Sequence, residues 1–321
     1  MSTKVLVTGG AGYIGSVTTA YLIDQGHKVT VLDNLSTGHK ESIDRRAEFI
    51  YGDVLNNDLT KLIKTNFDAV VHLAGKALVS ESIRLRDYYV QNNLYGTKNM
   101  LLLMKSNRIS KMIFSSTCAV YGNPDTNLIS EGCQEKPINP YGESKLLADK
   151  EIGSFCNSFE VDAISLRFFN VAGSYKNNNH EFFGEMHDTE THLIPRVLRM
   201  NEIEIFGSDF DTPDGTCVRD YVHVVDIARA IELSINVNEV GGHKIYNLGS
   251  GIGNSVTEVI NTYENLAKKK LSRKFMPRRI GDPAYLVSNS SLAAKELKWS
   301  PYFNLEQIMN DSYEFFLSLK H

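Results

Sequence analysis

Lys4-Val5-Leu6-Val7-Thr8-Gly9-Gly10-Ala11-Gly12-Tyr13-Ile14-Gly15 stands at the head of the chain, and its reading decides the fold. A short β-branched apolar run passes directly into Gly10-x-Gly12-x-x-Gly15, with Gly9-x-x-Gly12-x-x-Gly15 as a wider overlapping variant. Glycines at this spacing permit a tight strand-to-helix turn, let the backbone approach a pyrophosphate, and set a helix N-terminus against the anion. A glycine triplet alone is weak support, but here a strand precedes it, a helical pattern follows, and Asp33 ends the next strand-like run. Asp33 lies 18 residues beyond Gly15, where its carboxylate would accept hydrogen bonds from the hydroxyls of an adenosine ribose. Asn34-Leu35-Ser36 follows with no arginine to welcome a 2′-phosphate, so NAD is expected in preference to NADP.

Outward from this turn, short apolar runs alternate with helical patterns, the signature of a parallel sheet covered on both faces. Strands are predicted at residues 5–8, 29–33, 48–53, 69–73, 112–116 and 163–168, with the clearest helices over 93–104 and 141–155. Beyond Asn170 the texture changes. Residues 176–192 are polar and asparagine-rich and read as a long loop, 207–215 are turn-rich, and 244–249 read as a strand that rejoins the sheet. The expected fold is α/β, a Rossmann-type doubly wound parallel sheet with a smaller C-terminal substrate-binding domain. The dinucleotide domain is expected over residues 1–170, with about 222–250 returning to it, and the substrate domain over 171–321.

Chemistry at an alcohol carbon is proposed by Tyr141-Gly142-Glu143-Ser144-Lys145 lying downstream of Ser115-Ser116-Thr117. Tyr141 and Lys145 are four apart on a predicted helix and so share a face. Pro137 and Pro140 precede that helix and suit its first turn. An ammonium beside a phenol favours the phenolate, so Lys145 is expected to lower the Tyr141 pKa from about 10. Thr117, at the mouth of the fifth strand, has a hydroxyl that donates or relays a proton. Together the three would deprotonate a secondary alcohol while its hydride leaves for NAD. Tyr-x-x-x-Lys occurs by chance on many helices; its place after a strand ending Ser-Ser-Thr makes it informative.

Composition bounds the alternatives. A net charge of -4 supplies no basic field for nucleic acid or an anionic membrane surface, so neither is expected as a partner. No apolar run is long enough to span a bilayer, and with a strand-like segment beginning close to Met1 no signal peptide is expected. Cys118, Cys133, Cys156 and Cys217 show no zinc-ligand spacing and read as free thiols of a reducing compartment, which points to the cytoplasm. His180, His187 and His192 lie among acidic residues, but without His-Glu-x-x-His or another ligand spacing, and no metal is expected. The pairs Tyr88-Tyr89, Phe182-Phe183 and Phe315-Phe316 read as core or loop packing.

These residues resemble the extended short-chain dehydrogenase/reductase family, and more closely its UDP-galactose 4-epimerases, over nearly the full length. The resemblance rests on the glycine turn, Asp33-Asn34-Leu35-Ser36-Thr37-Gly38, Gly52-Asp53-Val54, His72-Leu73-Ala74-Gly75 and Asn93-x-x-Gly96-Thr97. It continues through Tyr141-x-x-x-Lys145, Arg167-Phe168-Phe169-Asn170, Thr191-His192-Leu193-Ile194-Pro195, Val218-Arg219-Asp220-Tyr221-Val222-His223 and Arg279-x-Gly281-Asp282. The resemblance implies reversible interconversion of UDP-galactose and UDP-glucose. Tyr141 would take the proton of the sugar 4-hydroxyl as the C4 hydride passes to NAD. The 4-keto sugar would turn about its link to the diphosphate, and the hydride would return to the other face.

The resemblance also implies residue roles. Around NAD it places Gly9, Gly12, Tyr13, Ile14, Asp33, Asn34, Leu35, Ser36, Thr37, Gly38, Asp53, Val54, Leu73, Ala74, Gly75, Asn93, Ser115, Tyr141, Lys145 and Phe169. Thr117 and Tyr141 would also meet the UDP-hexose. Asn170, Arg219 and Arg279 would grip its diphosphate, Asp282 its ribose, and His192, Leu193, Ile205 and Phe206 its uracil, with Tyr221 nearby. Leu286 falls at the position that gates the sugar, and its intermediate size leaves N-acetylhexosamine substrates open. Many members carry Ser where Thr117 stands, a hydroxyl-for-hydroxyl change. A lysine that some place just after the His-x-Ala-Gly run falls one position early here, as Lys76, and is given no role. A 4,6-dehydratase needs an acidic pair after the threonine; Cys118-Ala119 cannot supply it, nor the acid of a UDP-uronate decarboxylase. A non-catalytic NAD-binding scaffold would have no use for the Tyr141, Lys145 and Thr117 set. A homodimer packed through the helices beginning near Asn93 and Tyr141 is implied as well.

Overall fold

The computed structural model describes residues 2–64, 66–187, 190–237, 241–279 and 282–319. Its centre is a seven-stranded parallel sheet. One wing runs from β1 (Lys4–Thr8) through β2 (Lys28–Asp33) to β3 (Glu48–Tyr51). The other runs from β1 through β4 (Ala69–His72), β5 (Lys111–Thr117) and Asp162–Phe168 to His243–Leu248 at the edge. The predicted strand near residue 244 therefore rejoins the sheet, in parallel register with Ile245 opposite Ser165.

Side-chain alternation explains why these strands read as unbroken apolar runs. Val5, Val7, Val31, Val71, Ile113 and Ile164 enter one core with Leu22, Ile227, Ile231 and Trp299. Leu6, Leu32, Val70, Met112, Phe114 and Ala163 enter the opposite core with Met100, Leu103, Ala148 and Ile152. Both faces are covered by helices, so no polar alternation survives in the sequence.

Strand order reverses between β1 and β4, and the chain leaving each of them, at Gly9 and Leu73, borders the crevice where a doubly wound sheet binds its ligand. A smaller set of elements follows. Val218–His223 pairs with Gly253–Ser255, with Tyr285–Ser288 and with Asn170–Ala172, while Leu128–Ile129 joins the far side of Tyr285–Ser288. Ile194, Val197, Ile203, Ile205, Tyr221, Val259, Ile260 and Ile308 form its core.

Three local expectations differ from the structure. The helix predicted from Asn93 begins earlier, at Arg86–Val90, passes through a π-helical turn Gln91–Tyr95 and continues as Gly96–Asn107. The helix predicted over 141–155 runs Pro140–Ser158, because Asn139 caps it by accepting from the Gly142 N–H at 2.8 Å. The predicted loop 176–192 contains one arm of a small antiparallel hairpin, Phe182–Phe183, paired with Tyr175–Lys176. No helix among the described residues is long and apolar enough to cross a membrane.

Candidate active site

The glycine turn is pressed by backbone at Gly9 and Gly15 and by the Val31 side chain at Gly10. Gly9 has φ +73°, and a Cβ there would lie 2.6 Å from the Ala74 nitrogen; one on Gly15 would lie 2.0 Å from the Gly9 carbonyl oxygen. Only glycine tolerates both conditions. Gly12 caps helix α1 (Tyr13–Asp24) without a side-chain bond, so its first N–H groups keep their capacity for an anion. The residues fit a dinucleotide: the cradle is one that any Cβ would fill, at the point where β1 and β4 part.

Asp33 ties this turn to the end of β2. Its two carboxylate oxygens accept from the Ala11 N–H at 3.0 Å and the Leu35 N–H at 2.7 Å, the second holding Leu35 at φ 56°. A carboxylate has about four lone-pair positions, so two remain for ribose hydroxyls. Gly38 closes over Ala11, where the His39 N–H donates to the Ala11 carbonyl at 3.2 Å. Asn34 donates to Asp53 at 2.7 Å, and Asp53 also accepts from the Leu55 N–H at 2.8 Å. Val54 packs where a side chain on Gly96 would meet it.

Thr117 ends β5, and Tyr141 and Lys145 lie on the first turns of the Pro140–Ser158 helix that packs against that strand. The Thr117 Oγ accepts from the Ala119 N–H at 3.1 Å. Burial pushes the Tyr141 phenol up to about 12; a hydrogen bond with Thr117 works against this and the Cys118 sulfur adds to it. The sequence expectation that Lys145 lowers this phenol is therefore not met by the protein's own groups. Burial dominates this phenol, and the ammonium is turned to the Ser115 carbonyl oxygen at 2.8 Å, with the Ser115 Oγ at 3.4 Å. Burial in turn lowers Lys145 to about 8, opposed by the Asp149 carboxylate. Its ammonium also lies 4.7 Å from the centre of the Phe114 ring and would be 3.3 Å from a Cβ on Gly75. Phe169, expected beside the cofactor, is buried with Cys118, Tyr121, Leu146 and the partly buried Leu286.

Asn93 occupies the π-helical turn, which turns its amide inward. Its Oδ1 accepts from the Lys76 N–H at 2.8 Å, and its amide donates to the Lys76 carbonyl at 3.0 Å and to the Ser144 Oγ at 2.8 Å. Ser144 then donates to the Tyr141 carbonyl at 2.7 Å. The loop after β4, with Leu73 and Ala74, is thus tied to the turn that carries the tyrosine. Sequence reading passed over Ser144 although it stands beside Lys145. It also left Lys76 without a role; its ammonium donates to Ser36 at 3.3 Å and joins two segments expected at the cofactor. His72 and Thr97 were seen only as parts of motifs. The buried imidazole bridges the Thr8 hydroxyl at 2.7 Å and the Thr97 hydroxyl at 3.1 Å, and burial, with a smaller push from Lys145, lowers it to about 3. Tyr89, read as packing, is fully buried and lies edge-on to Tyr141 at 6.5 Å.

Residues expected at the substrate come from the second set of elements. Arg219 and Asp282 pair at 3.1 Å, and Arg219 also donates to the Val218 and Pro283 carbonyls at 2.9 Å and 2.8 Å. The fork is fixed before any phosphate arrives. Asn170 lies opposite Tyr221 in register and hydrogen-bonds its hydroxyl, although burial raises that phenol far above its usual range. The Arg279 guanidinium lies 3.8 Å from the centre of the Phe206 ring. Gly281, quoted with Arg279 and Asp282, lies outside the described residues. Ile205 is spent in the core with Ile194 and Ile203, and Leu193 packs at its margin, which leaves Phe206 as the less buried side chain of that strand end. His192 caps the Leu193–Arg199 helix, but its ring pairs with Glu185 at 2.7 Å and Glu190 at 3.2 Å.

Comparison with known proteins adds an independent line. Residues 5–249 match the NAD dependent epimerase/dehydratase family. The UDP-glucose 4-epimerase of Corynebacterium glutamicum is 42% identical over 320 residues, covering 97% of this chain and 95% of that protein. A crystal structure of UDP-glucose 4-epimerase from Brucella ovis in complex with NAD superposes with a TM-score of 0.93 at 38% identity, covering 98% of each chain. One from Bifidobacterium longum in complex with NAD+ and UDP gives 0.92 at 34% identity, again over 98% of each.

Proposed function

The chain belongs to the NAD dependent epimerase/dehydratase family, and on that premise we propose that it interconverts UDP-galactose and UDP-glucose with NAD as its cofactor. The observation that carries this reading is the meeting of Thr117, Tyr141 and Lys145 at the end of β5, next to the crevice bounded by Gly9 and Ala74.

NAD, when bound, supplies a reversible acceptor for the hydride of sugar C4. The glycine turn and the α1 N-terminus would hold its pyrophosphate, Asp33 its ribose, and Asn34, Asp53 and Ser36 the surrounding surface. Tyr141 takes the proton of the 4-hydroxyl and returns it, with Thr117 bonded to the phenol, while Lys145, held on Ser115, serves the cofactor beside it. Arg219, Arg279, Asn170 and Asp282 hold the UDP part. A firm hold on this non-reacting portion retains the 4-keto sugar while it turns. Residues 1–170, with about 222–250, serve the nucleotide cofactor and 171–321 the UDP-sugar; the return of His243–Leu248 to the sheet supports this division.

We place the enzyme in the cytoplasm as a homodimer. The four cysteines are free thiols, and Tyr95, Leu102 and Leu147, on the two helices expected at the dimer face, keep 52%, 56% and 39% of their surface exposed. Purified protein incubated with UDP-galactose deuterated at C4, without added NAD, should yield UDP-glucose with the label still at C4. Wash-out of the label, or steady release of NADH, would sink the proposal.

A further inference from the structure

Between the hairpin strand Phe182–Phe183 and the helix Leu193–Arg199 four side chains converge: Glu185, His187 and Glu190, which serve no step above, and His192, which was expected at the uracil. One donor atom from each lies within 4.8 Å of all the others. Both imidazoles present Nδ1, and Glu185 Oε1 meets His187 at 2.9 Å and His192 at 2.7 Å. Glu190 Oε1 meets His192 Nδ1 at 3.2 Å, while its Oε2 lies 3.9 Å from His187 Nδ1. The two carboxylate side chains are 7% and 5% exposed, and the buried Glu190 Oε2 has no hydrogen-bond partner among the described residues. A carboxylate oxygen so placed keeps its lone pairs for a ligand, and burying it unused carries a desolvation cost.

We propose that this cluster is a structural site for a first-row divalent metal of the zinc type. The spacing Glu185-x-His187-x-x-Glu190-x-His192 matches none of the motifs sought in the sequence, and half of its donors are carboxylates that looked like ordinary surface charge. Two imidazoles with two carboxylates suit zinc and its neighbours, whereas calcium and magnesium prefer oxygen donors alone. Bonds of about 2.0–2.2 Å in a tetrahedron separate donors by roughly 3.3–3.6 Å, and the observed spacings lie on both sides of that range. A metal held by both imidazoles takes the place of their Nδ1 protons, and its two charges balance the two carboxylates. The backbone behind the donors is held from both sides. Arg199 donates to the Glu185 and His187 carbonyls at 3.4 Å and 3.2 Å, and the His39 ring meets the Met186 carbonyl at 2.8 Å. Such support orients metal ligands. The bound ion would clasp this segment next to Tyr13, the first residue of α1, whose phenol feels the charges of Glu185 and Glu190.

The test uses the whole protein, stripped with a chelator, dialysed and titrated with zinc chloride against a chromophoric competitor. One zinc per chain should bind with a Kd below about 1 μM and raise the Tm, and cobalt(II) in its place should show the absorption of a four-coordinate ion. His187→Ala and Glu190→Gln should each weaken zinc about tenfold or more. Failure of folded wild-type protein to take up one equivalent overturns the proposal, whatever the variants do. Undiminished uptake by the double variant overturns it as well. Neither result bears on the epimerase reading, since His187 and Glu190 take no part in it.

Discussion

Lys145 donates from its ammonium to the carbonyl oxygen of Ser115 at 2.8 Å, and this bond fixes the charge at the end of β5 rather than on the tyrosine four residues before it. Ser115 thereby acts as an anchor for a buried cation at the reacting region. Replacing Lys145 by Met should lower kcat about a hundred- to ten-thousand-fold. The ammonium is held on Ser115 and not on the phenol, so the pH dependence of the remaining activity should stay close to that of wild type. Tyr141→Phe should still bind UDP but lose turnover by a similar factor. Rate profiles against pH for wild type and Lys145→Met check this, and a Lys145→Met profile displaced to higher pH would count against it.

Ser144 is a second support of the same tyrosine. Removing its hydroxyl with Ser144→Ala leaves the Asn93 amide short of a buried acceptor and frees the Tyr141 carbonyl. The expected loss is about 1–3 kcal/mol of stability, with kcat reduced and KM little changed. Urea unfolding and steady-state kinetics measure both; unchanged stability would show that the contact contributes nothing.

At Gly9 a side chain faces two penalties together, a φ of +73° and a Cβ 2.6 Å from the Ala74 nitrogen. Gly9→Ala should cost at least about 1–3 kcal/mol and abolish retention of NAD through gel filtration. Calorimetry and the nucleotide content of the purified protein decide it.

His72 is held neutral inside the protein, lowered from 6.5 to about 3. Between these values the unfolded chain takes a proton that the folded imidazole refuses, so stability falls as pH falls from 6.5 towards 3. The slope from this one group is at most about 1.4 kcal/mol per pH unit. Denaturation curves across that range for wild type and His72→Gln should differ in slope; equal slopes would refute the assignment.

Leu286 packs against Phe169, Cys118 and Leu146 beside the end of β5. Leu286→Ala should raise kcat/KM for UDP-N-acetylgalactosamine relative to UDP-galactose about tenfold, and Leu286→Tyr should lower the same ratio. A ratio that neither substitution moves would remove Leu286 from the sugar pocket.

The β-strands and the helix of Tyr141 were legible because each is a local pattern. Burial on both faces leaves an apolar run such as Val29–Asp33, and a helix brings Tyr141 and Lys145 to one side whatever lies beyond them. Glycines at 9, 12 and 15 were legible for the same reason, since the turn they allow is a property of adjacent residues. The π-helical turn at Asn93 left no such trace, because its cause is the pull of Lys76 and Ser144 from other parts of the chain.

Residue order alone was enough to define the parallel α/β sheet, the dinucleotide turn and the Tyr141, Lys145 and Thr117 set, all products of short-range periodicity and backbone freedom. Tertiary packing decided where charge goes. It turned Lys145 to Ser115, paired Arg219 with Asp282, and gathered Glu185, His187, Glu190 and His192 around buried carboxylate oxygens. Those arrangements follow from desolvation, which depends on what lies nearby in space, and no spacing along the chain records that.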